Sequence, residues 1–286
     1  MNPGAGITSI HYINLDRATS RRATIEENLA KFVGPGVAIR RIRAVDEGYV
    51  TRHKIAGSTT HREKACFLSH RRAIERSLDT PGYTLILEDD AQLGSRTMPV
   101  LNMLLPAASG KFDVIFTDLS VTSVQSMLSL FKFRREQTRN QCAGIFHTRK
   151  LDNFFGAAAY VLDDRSKRKL LSLLKQVHLI NLPYDQFLAA GTRAEALTSG
   201  YCFPFLTTQS PHASNSQIQP DDYQLCNMAW NDFRRLMFLE ADTTQAGKLP
   251  LDVNQISEDF CGREASCFTS ILKVILSDKL PELGLY

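Results

Sequence analysis

Residues 83–87, Tyr-Thr-Leu-Ile-Leu, form an uncharged run, and Glu88, Asp89 and Asp90 follow it without a break. A run this short and this apolar reads as a strand buried on both faces of a parallel or mixed sheet. Such a strand needs helices above and below it, which restricts the chain to a layered α/β architecture. The three acids then fall at the strand's carboxyl end. Strand alternation sends Glu88 and Asp90 to one side and Asp89 to the other. Three anions there repel one another unless something neutralises them, and a hard divalent cation held by oxygen ligands does so. Ligands of open α/β sheets bind outside the carboxyl ends of strands. Position and chemistry together point to a metal-assisted site for a phosphorylated ligand. The same tripeptide also fits an acidic turn that caps the next element.

The surrounding chain repeats the pattern. Residues 7–15 read as a first strand and 20–32 as a helix with Ile25, Leu29 and Phe32 on one face. Gly34-Pro35-Gly36 stops that helix. Residues 37–45 alternate as a strand with Val37, Ile39 and Ile42 as its apolar members, and a polar loop over 46–60 leads to a helix over 62–78. Further strands are expected over 112–116, 155–162 and 201–206. Asp163 or Asp164 caps a helix over 165–177, and Pro183 opens a short helix containing Asp185. Beyond Thr208 the composition changes. Residues 209–222 are polar and read as a loop or lid, followed by a helix over 223–240 and an apolar stretch over 268–276. The expected division is a catalytic domain over 1–208 and a mostly helical extension over 209–286 packed on it.

Composition narrows the function classes. With 286 residues, 43% of them hydrophobic, the chain is long enough to bury a core without disulfides or metals as staples. Its 34 Lys and Arg against 30 Asp and Glu leave a charge of +4, too small for a dedicated nucleic-acid protein. Basic residues cluster at Arg40, Arg41 and Arg43, at Arg71 and Arg72, at Arg134, Arg135 and Arg139, and over 165–169, as solvated faces or as contacts for an anionic surface or an acidic substrate. The six cysteines form no C-x-x-C pair. No charged-then-apolar leader and no bilayer-spanning run is visible. The expected location is the cytoplasm; if the protein works on membrane-bound material, the contact is expected to be peripheral, at the cytoplasmic face of the inner membrane.

Two further stretches carry chemistry. Cys66-Phe67-Leu68-Ser69-His70 lies in the helix before the acidic strand, where Ser69 and His70 bond a ligand, support the acidic loop or fill the core. Ile13-Asn14-Leu15-Asp16-Arg17, with Arg21 beyond, ends the first strand. Asn14, Arg17 and Arg21 suit a nucleotide base or a diphosphate, or form an ordinary polar turn.

In this order the stretches INLDRATSRR, RAVDEG, ACFLSH and LILEDDA resemble glycosyltransferase family 25, the lipooligosaccharide galactosyltransferase type. FGAAAYVLDD and NLPYDQF are similar to the family's later blocks. Glu47 stands between Asp46 and Gly48, where the family usually has Gly directly after the Asp. The resemblance implies a GT-A-like fold, with a mixed central sheet and helices on both faces. It implies inverting transfer of galactose, or of glucose, from UDP-galactose or UDP-glucose. The acceptor would be a saccharide of lipooligosaccharide, lipopolysaccharide or a related surface glycan, and Mn²⁺ or Mg²⁺ would assist.

The resemblance also implies roles. Asp90 is first choice as metal ligand and Glu88 next, while Asp89 acts through water or holds the sugar. Asn14, Arg17 and Arg21 sit near the nucleotide, and Asp46 near the uracil or ribose. Asp185 is the base that deprotonates the acceptor hydroxyl, a group that holds a ligand, or a structural cap. By analogy with other transferases of this fold, His212 is a further metal ligand. Two other classes share these features: a metal-dependent phosphoryl-transfer enzyme or nuclease, and a glycan-binding module with a decayed transferase fold.

Overall fold

The acidic strand is the third of seven in a mixed sheet. The computed structural model describes residues 6–121, 123–140, 143–151, 154–210 and 233–241. The elements begin with β1 (Ile7–Asn14), α1 (Thr19–Phe32), β2 (Ala38–Arg43), α2 (Glu47–Arg52), α3 (His61–Ser77), β3 (Tyr83–Glu88) and β4 (Ala91–Leu93). Next come α4 (Thr97–Ala108), β5 (Val114–Phe116), β6 (Ser120–Val121), α5 (Val124–Asn140), β7 (Gly144–His147) and β8 (Phe154–Phe155). Then follow β9 (Ala159–Leu162), α6 (Asp164–Lys175), α7 (Tyr184–Arg193), β10 (Ser199–Phe203) and β11 (Thr207–Gln209).

The large sheet has the order β2-β1-β3-β9-β5-β10-β7. β2, β1 and β3 are mutually parallel, and β9 runs against both β3 and β5. β10 is parallel to β5, and β7 runs against it. β2, β1, β3, β5 and β10 therefore all end at one edge. Two small ribbons, β4 with β11 and β6 with β8, complete the sheet structure.

Both faces of the sheet are covered, because its central strands are apolar on both. Ile86 and Phe116 pack on one face with Phe67 and Ile74 of α3, Leu170 of α6 and Leu188 of α7. Leu85 and Leu87 pack on the other with Ile25 and Leu29 of α1 and Leu101 and Leu105 of α4. The mixed sheet with helices on both faces is the architecture expected from the sequence. α3 starts from a full capping box: Thr60 Oγ1 accepts from Glu63 N, and Glu63 Oε2 accepts from Thr60 N.

Several details differ from the sequence reading. The loop over 46–60 contains α2, which is too short to show helical periodicity. α4 and α5 are added, and Pro99 and Pro106 disguise α4. β2 is an edge strand in which Ile42 is buried while Ile39 is exposed; its arginines suit an unpaired edge. The strand over 155–162 is split into β8 and β9, because Gly156 between them has φ +116°. Of the basic residues over 165–169, Lys167 alone leaves the solvated face: it is fully buried and donates to the carbonyls of Thr80 and Gly82, while the exposed Arg165 and Lys169 pair with Asp113.

Of the helix expected over 223–240, residues 233–237 are helical. Residues 211–232, most of the expected lid and His212 among them, lie outside the described residues, as do 242–286 with the apolar stretch.

Candidate active site

The acidic end of β3 meets four other chain segments at the sheet edge. Asn14 arrives at the end of β1, Arg21 from α1, His70 from α3, and Asp118 just after β5. The β8–β9 link lies between: Glu88 N donates to Ala158 O at 2.7 Å, and the Gly156 amide is close enough to act on the Asp185 carboxylate at the head of α7. Two acidic positions far apart in sequence, Glu88 and Asp185, thus adjoin one short link.

β3 ends at Glu88 and the chain turns at once, so strand alternation does not extend to Asp90. Asp90 and Asp89 share one guanidinium instead of pointing apart: Arg21 Nη1 donates to Asp89 Oδ1 at 2.9 Å and Nη2 to Asp90 Oδ2 at 3.1 Å. Asn14 Nδ2 donates to the other Asp89 oxygen at 2.7 Å, and Arg41 holds the Asn14 carbonyl oxygen. Asp90 Oδ1 is buried and has no hydrogen-bond partner among the described residues.

This crowding sets the protonation. Burial, with Glu88 and Asp89 nearby, pushes Asp90 up to about 7 against the pull of Arg21. Burial also raises Asp89, opposed by Arg21 and Asn14. Burial works in the same sense on Glu88, yet the His70 hydrogen bond and charge, with Arg21 and Arg234, bring it below its ordinary value. Of the pair, Glu88 is held towards its ionised form and Asp90 towards its protonated form. The Glu88 side chain keeps 28% exposure, so this carboxylate remains open to solvent.

Behind Glu88 runs a buried relay. His70 Nε2 lies 3.1 Å from Glu88 Oε1, His70 Nδ1 lies 3.1 Å from Tyr160 Oη, and Tyr160 Oη lies 3.0 Å from Tyr184 Oη. The His70 ring stacks on Tyr184 with centroids 4.1 Å apart. An ionised carboxylate only accepts, so Nε2 donates to it; in the neutral ring Nδ1 then accepts from Tyr160. These contacts hold the ring in one orientation.

The other expected residues take varied places. Ser69 is buried; its Oγ accepts from Val45 N at 2.8 Å and donates to Ala65 O at 2.7 Å, pinning α3 to the end of β2. Asp46 caps α2 through Tyr49 N at 2.6 Å. Arg17 is exposed on the turn after β1 and makes no ion pair among the described residues. Asp185 Oδ1 accepts from Gln186 N at 2.8 Å. Burial raises Asp185, and Glu88 adds to this, against the amides of Gln186 and Gly156.

Sequence reasoning missed Asp118 and Arg234. Arg234 Nη2 donates to Asp118 Oδ2 at 2.6 Å, and the pair is almost fully buried. Asp118 had a legible signal, an acid directly beyond an apolar strand, the same pattern as in β3. Arg234 had none.

A hard cation fits this donor set. Carboxylate oxygens are its preferred ligands, and Asp90 Oδ1 is a buried oxygen without a hydrogen-bond partner among the described residues. A second grouping, Cys66, His70 and Glu88, has ligand atoms within 4.8 Å of one another. It is poorly arranged for a cation, since both His70 nitrogens already have partners and burial keeps the Cys66 thiol protonated.

Comparison with curated proteins gives no match. Among solved structures the chain is similar to the glycosyltransferase GlyE of Streptococcus pneumoniae TIGR4, at 12% identity and a TM-score of 0.41. That comparison covers 97% of this chain and 64% of the other, so this chain spans less than two thirds of that protein's length. The family described as glycosyltransferase family 25 (LPS biosynthesis protein) matches residues 7–188, a stretch that runs from β1 through the acidic end of β3 to the Asp185 helix. More than half of the sequence lies within that match, and the chain belongs to glycosyltransferase family 25.

Proposed function

We propose that this protein is an inverting glycosyltransferase. It moves a hexose, galactose first and glucose next, from a UDP-sugar to a saccharide of lipooligosaccharide, lipopolysaccharide or a related surface glycan, assisted by a divalent cation. One observation carries the reading: two unlike acidic groups face the same β8–β9 link. On one side stands the Glu88–Asp90 group with its unpartnered Asp90 oxygen. On the other stands Asp185, anchored by backbone amides and raised by burial. The first suits the diphosphate of a donor, the second the hydroxyl of an acceptor.

Mn²⁺ or Mg²⁺ would be held by Asp90 and Glu88, and when bound it supplies Lewis-acid stabilisation of the leaving diphosphate. The chain's own residues do the rest. Arg21 and Asn14 fix Asp89 and Asp90, and His70 keeps Glu88 ionised. Asp185 takes the acceptor hydroxyl proton. That oxygen's electron pair then forms the new bond to the anomeric carbon. The bond from that carbon to the diphosphate breaks, and its electron pair leaves with UDP. A helix N-terminus weakens a carboxylate as a base, but at Asp185 burial outweighs it, the direction a base needs. Residues 1–208 form the catalytic unit in this reading, with 209–286 packed on it; the described contacts of residues 233–241 support that packing.

The test is a donor panel with Mn²⁺ in which release of free nucleotide is followed. Release from UDP-galactose or UDP-glucose, abolished by EDTA, is expected. No release from any nucleotide sugar, together with no UDP binding by calorimetry, would overturn the reading. A response to oligonucleotide alone would replace it with the phosphoryl-transfer class.

A further inference from the structure

Residues 233–241 lie beyond the family match and return to the acidic edge. Phe233, Leu236 and Met237 are buried in the core shared with α3 and α7. Phe205 N donates to Met237 O, and Leu239 N to Phe205 O. Arg134 donates to the carbonyls of Phe238 and Leu239 at 3.0 Å. Glu240 accepts from Ser95 N, Ser95 Oγ and Arg96 N. The segment is fastened on both sides of Arg234.

What is fastened there is an incompletely satisfied ion pair. Arg234 is 3% exposed and Asp118 1%. Arg234 donates to Asp118 at 2.6 Å and to Ser120 Oγ at 3.3 Å. Among the described residues, Asp118 Oδ1 and Arg234 Nε are nevertheless buried without hydrogen-bond partners. A buried ion pair is costly even when every atom is bonded, so one left open is poor structural glue. The pair also stands within electrostatic reach of the site: Arg234 acts on both Glu88 and Asp90. The need is plain, because a diphosphate must approach an edge that holds Glu88, Asp89, Asp90, Asp118 and Asp185. Arg21 already spends two donors on carboxylates. A guanidinium has five donors in a fork that matches phosphate, and Arg234 has donors left.

We propose that Arg234 binds the diphosphate of the donor, that Asp118 orients its guanidinium, and that residues 233–241 are thereby part of the donor site. The proposal rests on the sugar-transfer reading above. Arg234 is a ligand-binding residue in it and Asp118 a positioning residue.

The test is calorimetry of the full chain with Mn²⁺, using UDP and uridine as probes and thermal melting as the control for folding. The double variant Asp118→Asn/Arg234→Gln removes both charges and leaves neither buried alone. It should bind UDP at least about tenfold more weakly while uridine affinity stays within twofold; tenfold corresponds to about 1.4 kcal/mol. Arg234→Lys keeps a charge but loses the fork, and should show the same selective loss. If the double variant does not fold, Arg234→Lys decides alone. Unchanged UDP affinity, or equal losses for UDP and uridine, would overturn the proposal and leave the transferase reading standing. Absence of UDP binding by the parent chain would bring down both.

Discussion

Asp90 carries two burdens, and its environment shows how they are linked. Its carboxyl is buried beside Glu88 and pushed up to about 7. The folded state therefore binds a proton that the unfolded chain has already lost above about pH 4. Stability from this group is fully present below that pH and is lost as pH rises through 7. Asp90→Asn should accordingly melt higher than the parent at pH 8 without divalent ions, by an amount on the order of a few kcal/mol at most. The difference should vanish towards pH 4. Adding Mn²⁺ at pH 8 should raise the melting temperature of the parent and not of the variant, and Asp90→Asn should show no metal-stimulated turnover. Equal melting curves across this range would remove Asp90 as the strained acid. Asp185 makes a separate prediction. Asp185→Asn should lower kcat by about 10²-fold or more. In the parent, activity should fall as acid protonates a carboxylate whose pKa lies above the ordinary range. A change confined to KM would make Asp185 a ligand-holding group.

At the scale of elements, the site depends on where α3 and α7 begin and end. α3 is stopped from sliding by its capping box and by Ser69, which ties it to Val45 at the end of β2. α7 is set by a different device. Residues 56–59 and 180–181 clasp each other: Ile180 N donates to Ala56 O, Thr59 N to Ile180 O, and Ser58 N to Asn181 Oδ1. Gly57 sits inside this clasp with φ +131°, and a Cβ there would strike the Ile180 backbone. Gly57→Ala should destabilise the protein by at least about 2 kcal/mol in urea unfolding. It should also lower kcat, because the shifted stretch leads into Asp185. Loss of stability with unchanged kcat would show that the clasp does not position the base.

At the scale of the whole molecule, residues 233–241 close the acidic edge from a distance. Glu240 is exposed, yet it accepts three hydrogen bonds from Ser95 and Arg96. Glu240→Ala should cost about 1 kcal/mol. Faster hydrogen exchange at the Phe205 and Leu239 amides, which bond across this junction, would report it, and unchanged exchange would show that the apolar contacts alone hold the segment. Among the described residues no helix is long and apolar enough to cross a membrane.

The layered sheet, the helices around His70 and Asp185, and the acids at the end of β3 were legible because each is a local pattern. Burial periodicity, caps and a strand followed by charge are written within a few consecutive residues. The path of Asp90 was not, since a turn immediately after Glu88 cancelled the alternation that would have placed it. Nor were the partners. Arg21 lies 68 residues from Asp89, Tyr160 lies 90 from His70, and Arg234 lies 116 from Asp118. Which residues neutralise which acids, and hence which carboxyl stays ionised and which holds a proton, depends on burial and on charges brought together across the sheet edge. Burial and charge act through space, so the acids could be found in the chain, while their chemistry was set when it folded.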